Sequence, residues 1–228
     1  MKHQYQEVSL FDWDGTLRAN YTILDWTIQL IKENFLDELV LNSLKKIFKE
    51  YQSQTLTYTS LVTNTADVYA KSIAGVNESD LAIQAEIFAS NDKNIFPFVN
   101  DLIKFLHSKN IEVIVISGTP SIVLNAFTSK LGIDQSFGLD LDKTPNGIYN
   151  GNIVKNHGLF SYKKKLVEKF LAEDKNIIFG VGNSKSDFPL LENAMKGFIL
   201  EPIGDISKTN ICLSSPEKIF NEIKMLLD

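Results

Sequence analysis

The 228-residue sequence is short of cysteine and of long apolar runs, and each shortage excludes a class of protein. Cys212 is the only cysteine, so no disulfide can form within the chain, and we expect a reducing, cytoplasmic location. Within "NICL" it is interpreted as a small buried hydrophobe rather than a nucleophile. No apolar run approaches the roughly 20 residues that span a bilayer, and from the polar stretch "MKHQYQEV" we expect no signal peptide.

Positive charge is also scarce, because 23 Lys and Arg residues face 28 Asp and Glu residues and leave a net charge of −5. A chain with this balance has no broad electrostatic footprint for nucleic acid, so we expect neither a nucleic-acid partner nor a membrane partner. A small anionic substrate is compatible with it, since a local metal and a few donors outweigh the average field. The length suits one large domain, or a core domain carrying a smaller one, and we expect a monomer or a homodimer.

Three short apolar runs end in polar or glycine-rich turns: "VSLF" before Asp12, "IEVIVI" before Ser117 and "NIIFGV" before Gly182. Continuous runs of this kind are typical of parallel strands that are covered on both faces. Helical patterns such as "PSIVLNAFTSKLG" and "SYKKKLVEKFLAE" alternate with them. The alternation predicts an α/β fold with a doubly wound parallel sheet. "GFIL" and "NICL" predict further strands, and "DLDKTPNGIYNG" predicts a β-hairpin.

Residues 18–93 show a different pattern, because they contain no clear strand and their apolar residues recur at helical spacing. We predict a small helical bundle inserted after the first strand. Trp26, Phe35 and Phe48 are predicted to form the core of this bundle.

Polar residues that can carry chemistry follow each of the three predicted strands. Asp12 and Asp14 follow the first, residues 117–119 follow the second, and residues 182–187 follow the third. Because the carboxyl ends of parallel strands form the sites of α/β proteins, all three clusters should meet at one rim.

Each cluster suits a phosphoryl-transfer centre. Asp12 can attack phosphorus and form an aspartyl-phosphate, while Asp14 can protonate the leaving oxygen and later deprotonate a water. The Ser117 hydroxyl and the Gly118 amide can bind phosphate. A lysine from the run 163–165 can neutralise the charge on the nucleophile and the phosphate.

The same rim offers oxygen ligands for Mg²⁺, a hard cation that accepts few protein ligands. We expect these ligands to come from Asp12, the backbone of Asp14 and the region of Asn183, with Asp187 as a further carboxylate in the same loop.

Taken together, "DWDGTL", "SGTP", a lysine ahead of an amphipathic helix and "GNSKSDFPLL" resemble the four motifs of the haloacid dehalogenase-like hydrolases. The helical insertion directly after the first motif resembles the phosphoserine phosphatase-like branch. The resemblance covers nearly the whole chain. It implies a Rossmann-like core (1–17 and 94–228), a mobile helical cap (18–93), Mg²⁺ dependence, and phosphomonoester hydrolysis through an aspartyl-phosphate.

By motif, the resemblance implies that Asp12 is the nucleophile, Asp14 the general acid and base, and Ser117 a phosphate ligand. It also implies that Lys163 neutralises charge and binds phosphate; Lys164 is the alternative. The chain departs from the family at two positions. Asn183 stands where the family usually has a metal-binding acid, and Tyr21 stands where phosphoserine phosphatases have a glutamate that meets the substrate amine. We therefore expect Tyr21, with other residues of the cap, to select the substrate.

The sequence thus predicts a Mg²⁺-dependent phosphatase that acts on a small phosphorylated metabolite. Three alternatives stay open: a phosphotransferase or mutase, a non-catalytic member that only binds phosphate and metal, and a phosphoaspartate receiver. The receiver is disfavoured because it needs no inserted cap.

Overall fold

The computed structural model describes residues 6–200 and 210–228, and within them the chain forms seven strands and nine α-helices. The strands are β1 (Glu7–Phe11), β2 (Ile111–Pro120), β3 (Gln135–Lys143), β4 (Tyr149–Asn156), β5 (Asn176–Gly182), β6 (Lys196–Leu200) and β7 (Ile211–Ser214). The helices are α1 (Thr22–Lys32), α2 (Glu38–Gln52), α3 (Tyr58–Ser72), α4 (Glu78–Asn91), α5 (Val99–Ser108), α6 (Ser121–Leu131), α7 (Phe160–Ala172), α8 (Phe188–Glu192) and α9 (Ile219–Leu227), and a short 3₁₀ turn spans Lys185–Asp187.

All seven strands form one sheet in the order β4-β3-β2-β1-β5-β6-β7. Every neighbouring pair is parallel except β3 and β4, which form the antiparallel hairpin predicted from the Pro-Asn-Gly turn. Gly147 of that turn has a φ of 77°, a conformation that glycine adopts without steric cost. The α/β fold with a doubly wound, mostly parallel sheet is therefore confirmed.

The sheet is covered on both faces because the central strands are apolar on both sides. Val8 and Leu10 of β1 pack with the apolar side of α7, which contributes Leu166 and Phe170. Phe11 belongs to the larger core on the opposite face, which includes residues of α5, α6 and α9. This two-sided burial holds β1 rigidly in the middle of the sheet and fixes the position of the residues that follow it.

Strand β2 differs from its prediction at its carboxyl end. It continues to Pro120 instead of ending before Ser117, because Pro120 pairs with Leu139 of β3 after an irregularity in the register. Pro120 is also the N-cap of α6, and Gly132, in the left-handed conformation, is its C-cap. The polar residues at positions 117–119 are therefore held within a strand, which gives them a better-defined position than a loop.

The segment between β1 and α5 contains α1–α4 and no strand, in agreement with its helical periodicity. The side chains of Asp37, Thr57 and Asn77 cap α2, α3 and α4 by accepting backbone N–H bonds. Trp26 is fully buried in this segment and donates its indole N–H to the hydroxyl of Tyr69 at 2.8 Å. Among the helices of residues 6–200 and 210–228, none has the length and apolar character to cross a membrane.

The chain enters and leaves this helical segment through two backbone connections that run side by side. The amide of Ala19 donates to the carbonyl of Asn94 at 2.8 Å, and the amide of Phe96 donates to the carbonyl of Leu17 at 3.1 Å. The two ends of the segment are thus directly hydrogen-bonded to each other.

Arg18 reinforces this junction. Its side chain is fully buried, and its guanidinium pairs with Asp92 at 2.6 Å and with Asp25 at 2.7 Å. A buried charge needs such partners, because its desolvation is otherwise costly. This cluster could not be predicted from sequence patterns, since Asp92 lies 74 residues from Arg18.

Candidate active site

The three polar clusters meet at the carboxyl end of the sheet. Asp12 directly follows β1, and its amide donates to the carbonyl of Val181 in β5 at 2.9 Å. Ser117 lies in β2, and Asn183 follows β5. One cavity of about 100 Å³ is lined from the rim by the following residues: Asp12, Asp14, Ser117, Gly118, Gly158, Asn183 and Ser184.

Lys163 lies at the centre of a buried charge cluster. Its ammonium donates to Oδ1 of Asp12 at 2.7 Å and to Oδ1 of Asp187 at 2.5 Å, and its side chain is 1% exposed. Lys164, by contrast, is 60% exposed and only approaches Glu168 on its own helix. The start of α7 therefore directs Lys163, and not Lys164, into the rim.

The electrostatics of this cluster are dominated by burial. Burial and, after it, the charge of Asp187 raise the pKa of Asp12 to about 7, against the opposing effect of Lys163. Burial also works against the charge of Lys163, but the Asp12 and Asp187 carboxylates outweigh it and raise the lysine pKa above its ordinary value. Lys163 is thus a permanent cation, and Asp12 needs further positive charge nearby to stay fully ionised.

Asp14 is held by two threonines. Its Oδ1 accepts from the amide of Thr22 at 2.9 Å and from the Thr22 hydroxyl at 2.5 Å, and its Oδ2 accepts from the hydroxyl of Thr119 at 3.1 Å. Trp13 donates its indole N–H to the same Thr22 hydroxyl at 2.9 Å, which fixes the direction of that donor. Burial raises the pKa of the Asp14 carboxyl, against the opposing effect of the Thr22 bonds. A carboxyl with a raised pKa is suited to giving up a proton near neutral pH.

Thr22 and Thr119 are functional candidates that sequence reasoning missed. Thr119 belongs to the "SGTP" stretch, but its side chain carried no distinguishing pattern. Thr22 is the first residue of α1, so only the three-dimensional turn between Asp14 and α1 brings it to the carboxylate.

Ser117 and Gly118 form the side of the cavity on β2. The Ser117 hydroxyl oxygen accepts from the amide of Thr119 at 3.0 Å, so its proton can be donated into the cavity. Gly158, just before α7, also lines the cavity, and a Cβ there would lie 2.7 Å from the Cα of Gly118. The close approach of these two backbones requires glycine at position 158, which the sequence analysis did not identify.

Asn183 lies at the rim, with its side chain directed at the first motif. Its Nδ2 donates to the backbone carbonyl of Asp14 at 3.1 Å. Gly15 makes room for it: a Cβ at Gly15, where φ is 77°, would lie 1.9 Å from that Nδ2. The sharp turn after Asp14 and the Asn183 side chain therefore both require glycine at this position.

Asp187 accepts hydrogen bonds on both oxygens. Its Oδ2 accepts from the amides of Asn183 and Ser184 at 3.0 and 2.8 Å and from the Ser184 hydroxyl at 2.8 Å, while its Oδ1 accepts from Lys163 and Ser186. These bonds fold the loop 183–187 and anchor Lys163. The prediction that Asp187 ligates a metal stays a prediction, and its observed contacts are those of a residue that positions others.

The donor set fits Mg²⁺ in character. No three His, Cys, Asp or Glu side chains in the described ranges are arranged to hold a metal ion together. Asp12, the Asp14 carbonyl and the Asn183 amide instead offer one carboxylate and two neutral oxygens, all hard ligands. In the structure, Asn183 presents its amide nitrogen to the Asp14 carbonyl. A 180° turn of the amide would place its oxygen there instead, where it could bind the same ion as the carbonyl. The buried negative charge around Asp12, which Lys163 alone does not balance, also favours a cation here.

The opposite wall of the cavity comes from the helical segment and is mostly aromatic. Tyr21 and Phe48 contact each other with ring centroids 4.5 Å apart, and Tyr51 and Tyr58 lie beside them. Trp26 is buried and Phe35 packs against the core, as predicted, and Phe48 is buried too, but it also faces the cavity. Helical spacing did not reveal this second role, nor did it mark Tyr51 or Tyr58. The lining from this segment is completed by Ile23, Leu61, Val62 and Thr65.

Comparison with known proteins identifies the same architecture. Residues 9–192 match the family model of the haloacid dehalogenase-like hydrolases. A substrate-bound phosphoserine phosphatase structure has a TM-score of 0.69 at 20% identity, over 99% of this chain and 100% of that one. A Bordetella pertussis protein of unknown function has a TM-score of 0.72 at 18% identity, over 88% and 92% of the two chains.

A third structure is longer than this chain. A HAD family hydrolase from Salmonella enterica serovar Typhi has a TM-score of 0.63 at 17% identity, over 87% of this chain but only 63% of that protein. At these identities the likenesses show the fold alone. A search of curated proteins finds no significant match.

Proposed function

The chain belongs to the haloacid dehalogenase-like hydrolases, and we propose from this premise that it is a Mg²⁺-dependent phosphatase of a small phosphomonoester metabolite. The observation that carries the proposal is the buried Asp12–Lys163–Asp187 cluster, which shares one cavity rim with Asp14 and Ser117. A nucleophilic carboxylate, a second carboxyl with a raised pKa and a permanent cation are the groups that hydrolysis through an aspartyl-phosphate needs.

In the first step, an Asp12 oxygen forms a bond to phosphorus while the bond to the leaving oxygen breaks, and Asp14 gives its proton to that oxygen. In the second step, Asp14 takes a proton from water, the water oxygen bonds to phosphorus, and the bond between phosphorus and the Asp12 oxygen breaks, which frees the Asp12 carboxylate and inorganic phosphate. Lys163 balances the charge of Asp12, and the Ser117 hydroxyl and the Gly118 amide hold the phosphoryl oxygens. Mg²⁺ bound by Asp12, the Asp14 carbonyl and Asn183 would supply further positive charge to the phosphoryl group.

We assign Asp187 a positioning role in this scheme, because its hydrogen bonds hold both Lys163 and the backbone of Asn183. Residues 18–93 would act as a cap on a core made of 1–17 and 94–228. The aromatic wall that this segment presents to Asp12 supports that role, because a closed wall excludes water from the reaction. The cytoplasm stays the predicted location, on the basis of the single cysteine.

The test is phosphate release from a panel of phosphorylated metabolites and acetyl phosphate, measured with Mg²⁺ and with the metal removed by a chelator. We expect Mg²⁺-dependent release that Asp12→Asn abolishes. Binding of Mg²⁺ and phosphate without release from any compound would instead favour the non-catalytic alternative, which the amide at position 183 makes worth testing. Transfer of the phosphoryl group to an added alcohol in preference to water would favour the phosphotransferase.

The amide at position 183 leads to a prediction about the metal. Asn183→Asp adds a negative charge beside the Asp14 carbonyl, so the Mg²⁺ concentration for half-maximal activity should fall by roughly tenfold, or about 1.4 kcal/mol of metal binding. Titration calorimetry with Mg²⁺ should show the same shift without turnover. Asn221→Asp, which adds the same charge at an exposed position in the first turn of α9, is the matched control. An unchanged Mg²⁺ requirement in Asn183→Asp would show that position 183 is not a ligand.

A further inference from the structure

The wall that faces Asp12 across the cavity is built from aromatic rings and aliphatic side chains. Tyr21 and Phe48 meet at 4.5 Å with a 45° tilt, and Tyr51 and Tyr58 meet at 6.0 Å in an edge-to-face arrangement. Leu61 adds an aliphatic surface and is 3% exposed. Two aromatic pairs that line one small cavity present a surface on which a planar ring can pack, since rings gain attraction in tilted and edge-to-face contacts.

No residue that lines this cavity from positions 18–93 carries a charge. None of the charged residues of α2 lines the cavity, and two of them, Lys46 and Glu50, approach each other with side chains 77% and 41% exposed. Arg18 is fully occupied, because it is buried against Asp25 and Asp92. On the rim, Lys163 already serves two carboxylates. A carboxylate or an ammonium on the leaving group would therefore find no partner on this wall.

The polar atoms that the wall does offer are hydroxyls that stay neutral. Burial raises the pKa of Tyr21 and of Tyr51, so both remain protonated at neutral pH. Burial and the charge of Asp187 raise the pKa of Tyr58 well above its ordinary value, and its hydroxyl is hydrogen-bonded to Ser186. Tyr21 and Tyr51 are thus left as neutral donors or acceptors for a hydroxyl, carbonyl or ring nitrogen of a ligand.

We infer that the enzyme selects phosphomonoesters whose leaving group is an uncharged aromatic alcohol, with the ring packed against the Tyr21–Phe48 and Tyr51–Tyr58 pairs. The inference rests on the proposed phosphatase function and adds the class of substrate. It also gives a physical reason for Tyr21 at the cavity: a ring there adds aromatic surface to an uncharged wall, where a carboxylate would have bound an amine. A zwitterionic amino-acid phosphate would lose its hydration here without compensation, so it should be a poor substrate.

The test compares kcat/KM for three phosphates of primary alcohols: benzyl phosphate, cyclohexylmethyl phosphate and phosphoserine. Benzyl and cyclohexylmethyl phosphates differ mainly in the planarity of the ring. We expect benzyl phosphate to be preferred over cyclohexylmethyl phosphate by roughly tenfold, the scale of a well-made aromatic contact. We expect a preference of about a hundredfold or more over phosphoserine, whose charges stay unpaired.

Variants of the wall show whether this preference arises there. Tyr51→Leu, and Phe48→Leu as a second variant, should bring the ratio of benzyl to cyclohexylmethyl phosphate close to one. The control is Phe220→Leu in α9, which removes a ring that pairs with Phe105 of α5. This variant should keep the wild-type ratio. A ratio that is unchanged in both wall variants, with the folded state verified by thermal melting, would overturn the inference.

The failure of the inference and the failure of the proposed function have different signatures. Acetyl phosphate carries no ring and reports hydrolysis alone. If it is hydrolysed while phosphoserine equals or exceeds benzyl phosphate, the substrate class is wrong and the phosphatase stands. If no compound releases phosphate, the proposed function fails, and calorimetry with benzylphosphonate against the phosphonate analogue of phosphoserine decides the preference of the wall. Equal binding of the two phosphonates would then overturn the inference as well.

Discussion

Replacing Asp12 with asparagine should lower kcat by at least about a thousandfold while leaving the fold intact, because the substitution removes the attacking charge and keeps the shape. Lys163 retains Asp187 as a partner at 2.5 Å, so the variant does not leave a buried ammonium without a counter-charge. The measurement is steady-state phosphate release with Mg²⁺, accompanied by circular dichroism and a melting curve. A beryllofluoride complex of the wild-type protein should carry its phosphoryl mimic on Asp12.

Asp80→Asn is a suitable control for this experiment, because it makes the same chemical change at an exposed position near the start of α4. It should keep wild-type kcat. If Asp12→Asn retains more than about a tenth of wild-type turnover, only ~1.4 kcal/mol of barrier depends on this carboxylate, and Asp12 is not the nucleophile.

The second large effect should come from Asp14→Asn, which we expect to reduce kcat by roughly 100- to 10,000-fold, the usual contribution of general acid–base catalysis. The Asp14 backbone carbonyl is untouched, so Mg²⁺ binding measured by calorimetry should persist. The amide oxygen can still accept from the backbone of Thr22, which preserves the local turn. The loss should be smaller for an aryl phosphate than for an alkyl phosphate, because a phenolate departs without needing a proton.

That dependence on the leaving group separates proton transfer from a structural defect, since a misfolded site would lose activity on both esters alike. Asp101→Asn, at an exposed position in the first turn of α5, is the matched control. Simultaneous loss of the fold and of metal binding in Asp14→Asn would mean that this carboxylate serves the structure rather than the reaction.

The rim could be anticipated from the sequence because strand ends are local features. A run of β-branched residues that stops at a polar turn places that turn at the carboxyl edge of a parallel sheet, and the positions of Asp12, Ser117 and Asn183 follow from this rule. The choice between Lys163 and Lys164 was harder, because adjacent residues on a helix differ by about 100° in direction. Only the packing of α7 on the sheet decides which of the two reaches Asp12.

The rest of the site depends on contacts between distant parts of the chain. Helical spacing of aromatic residues is the same whether the side chains face a packed core or a cavity. The sequence pattern therefore did not identify Phe48 and Tyr51 as cavity residues. The threonines that hold Asp14 are ordinary turn and helix-start residues until the fold brings them together. The metal ligands remain predictions, because they concern a bound ion. The boundaries of the cap remain predictions, because a cap is defined by its movement relative to the core.

The hydrogen bonds that join Ala19 to Asn94 and Phe96 to Leu17 make the helical segment a detachable module. The two ends of the segment are adjacent, so the segment behaves as a closed loop. The entropic cost of closing a loop grows only slowly with its length, so a longer or shorter insert would change that cost little. A different set of helices could be grafted at this junction without changing the register of β1 against its neighbours, provided that the partners of Arg18 are kept and that Thr22, which holds Asp14, is kept as well. The recognition of the leaving group and the chemistry at phosphorus can therefore diverge independently, one by exchange of the insert and the other by point substitution at the sheet.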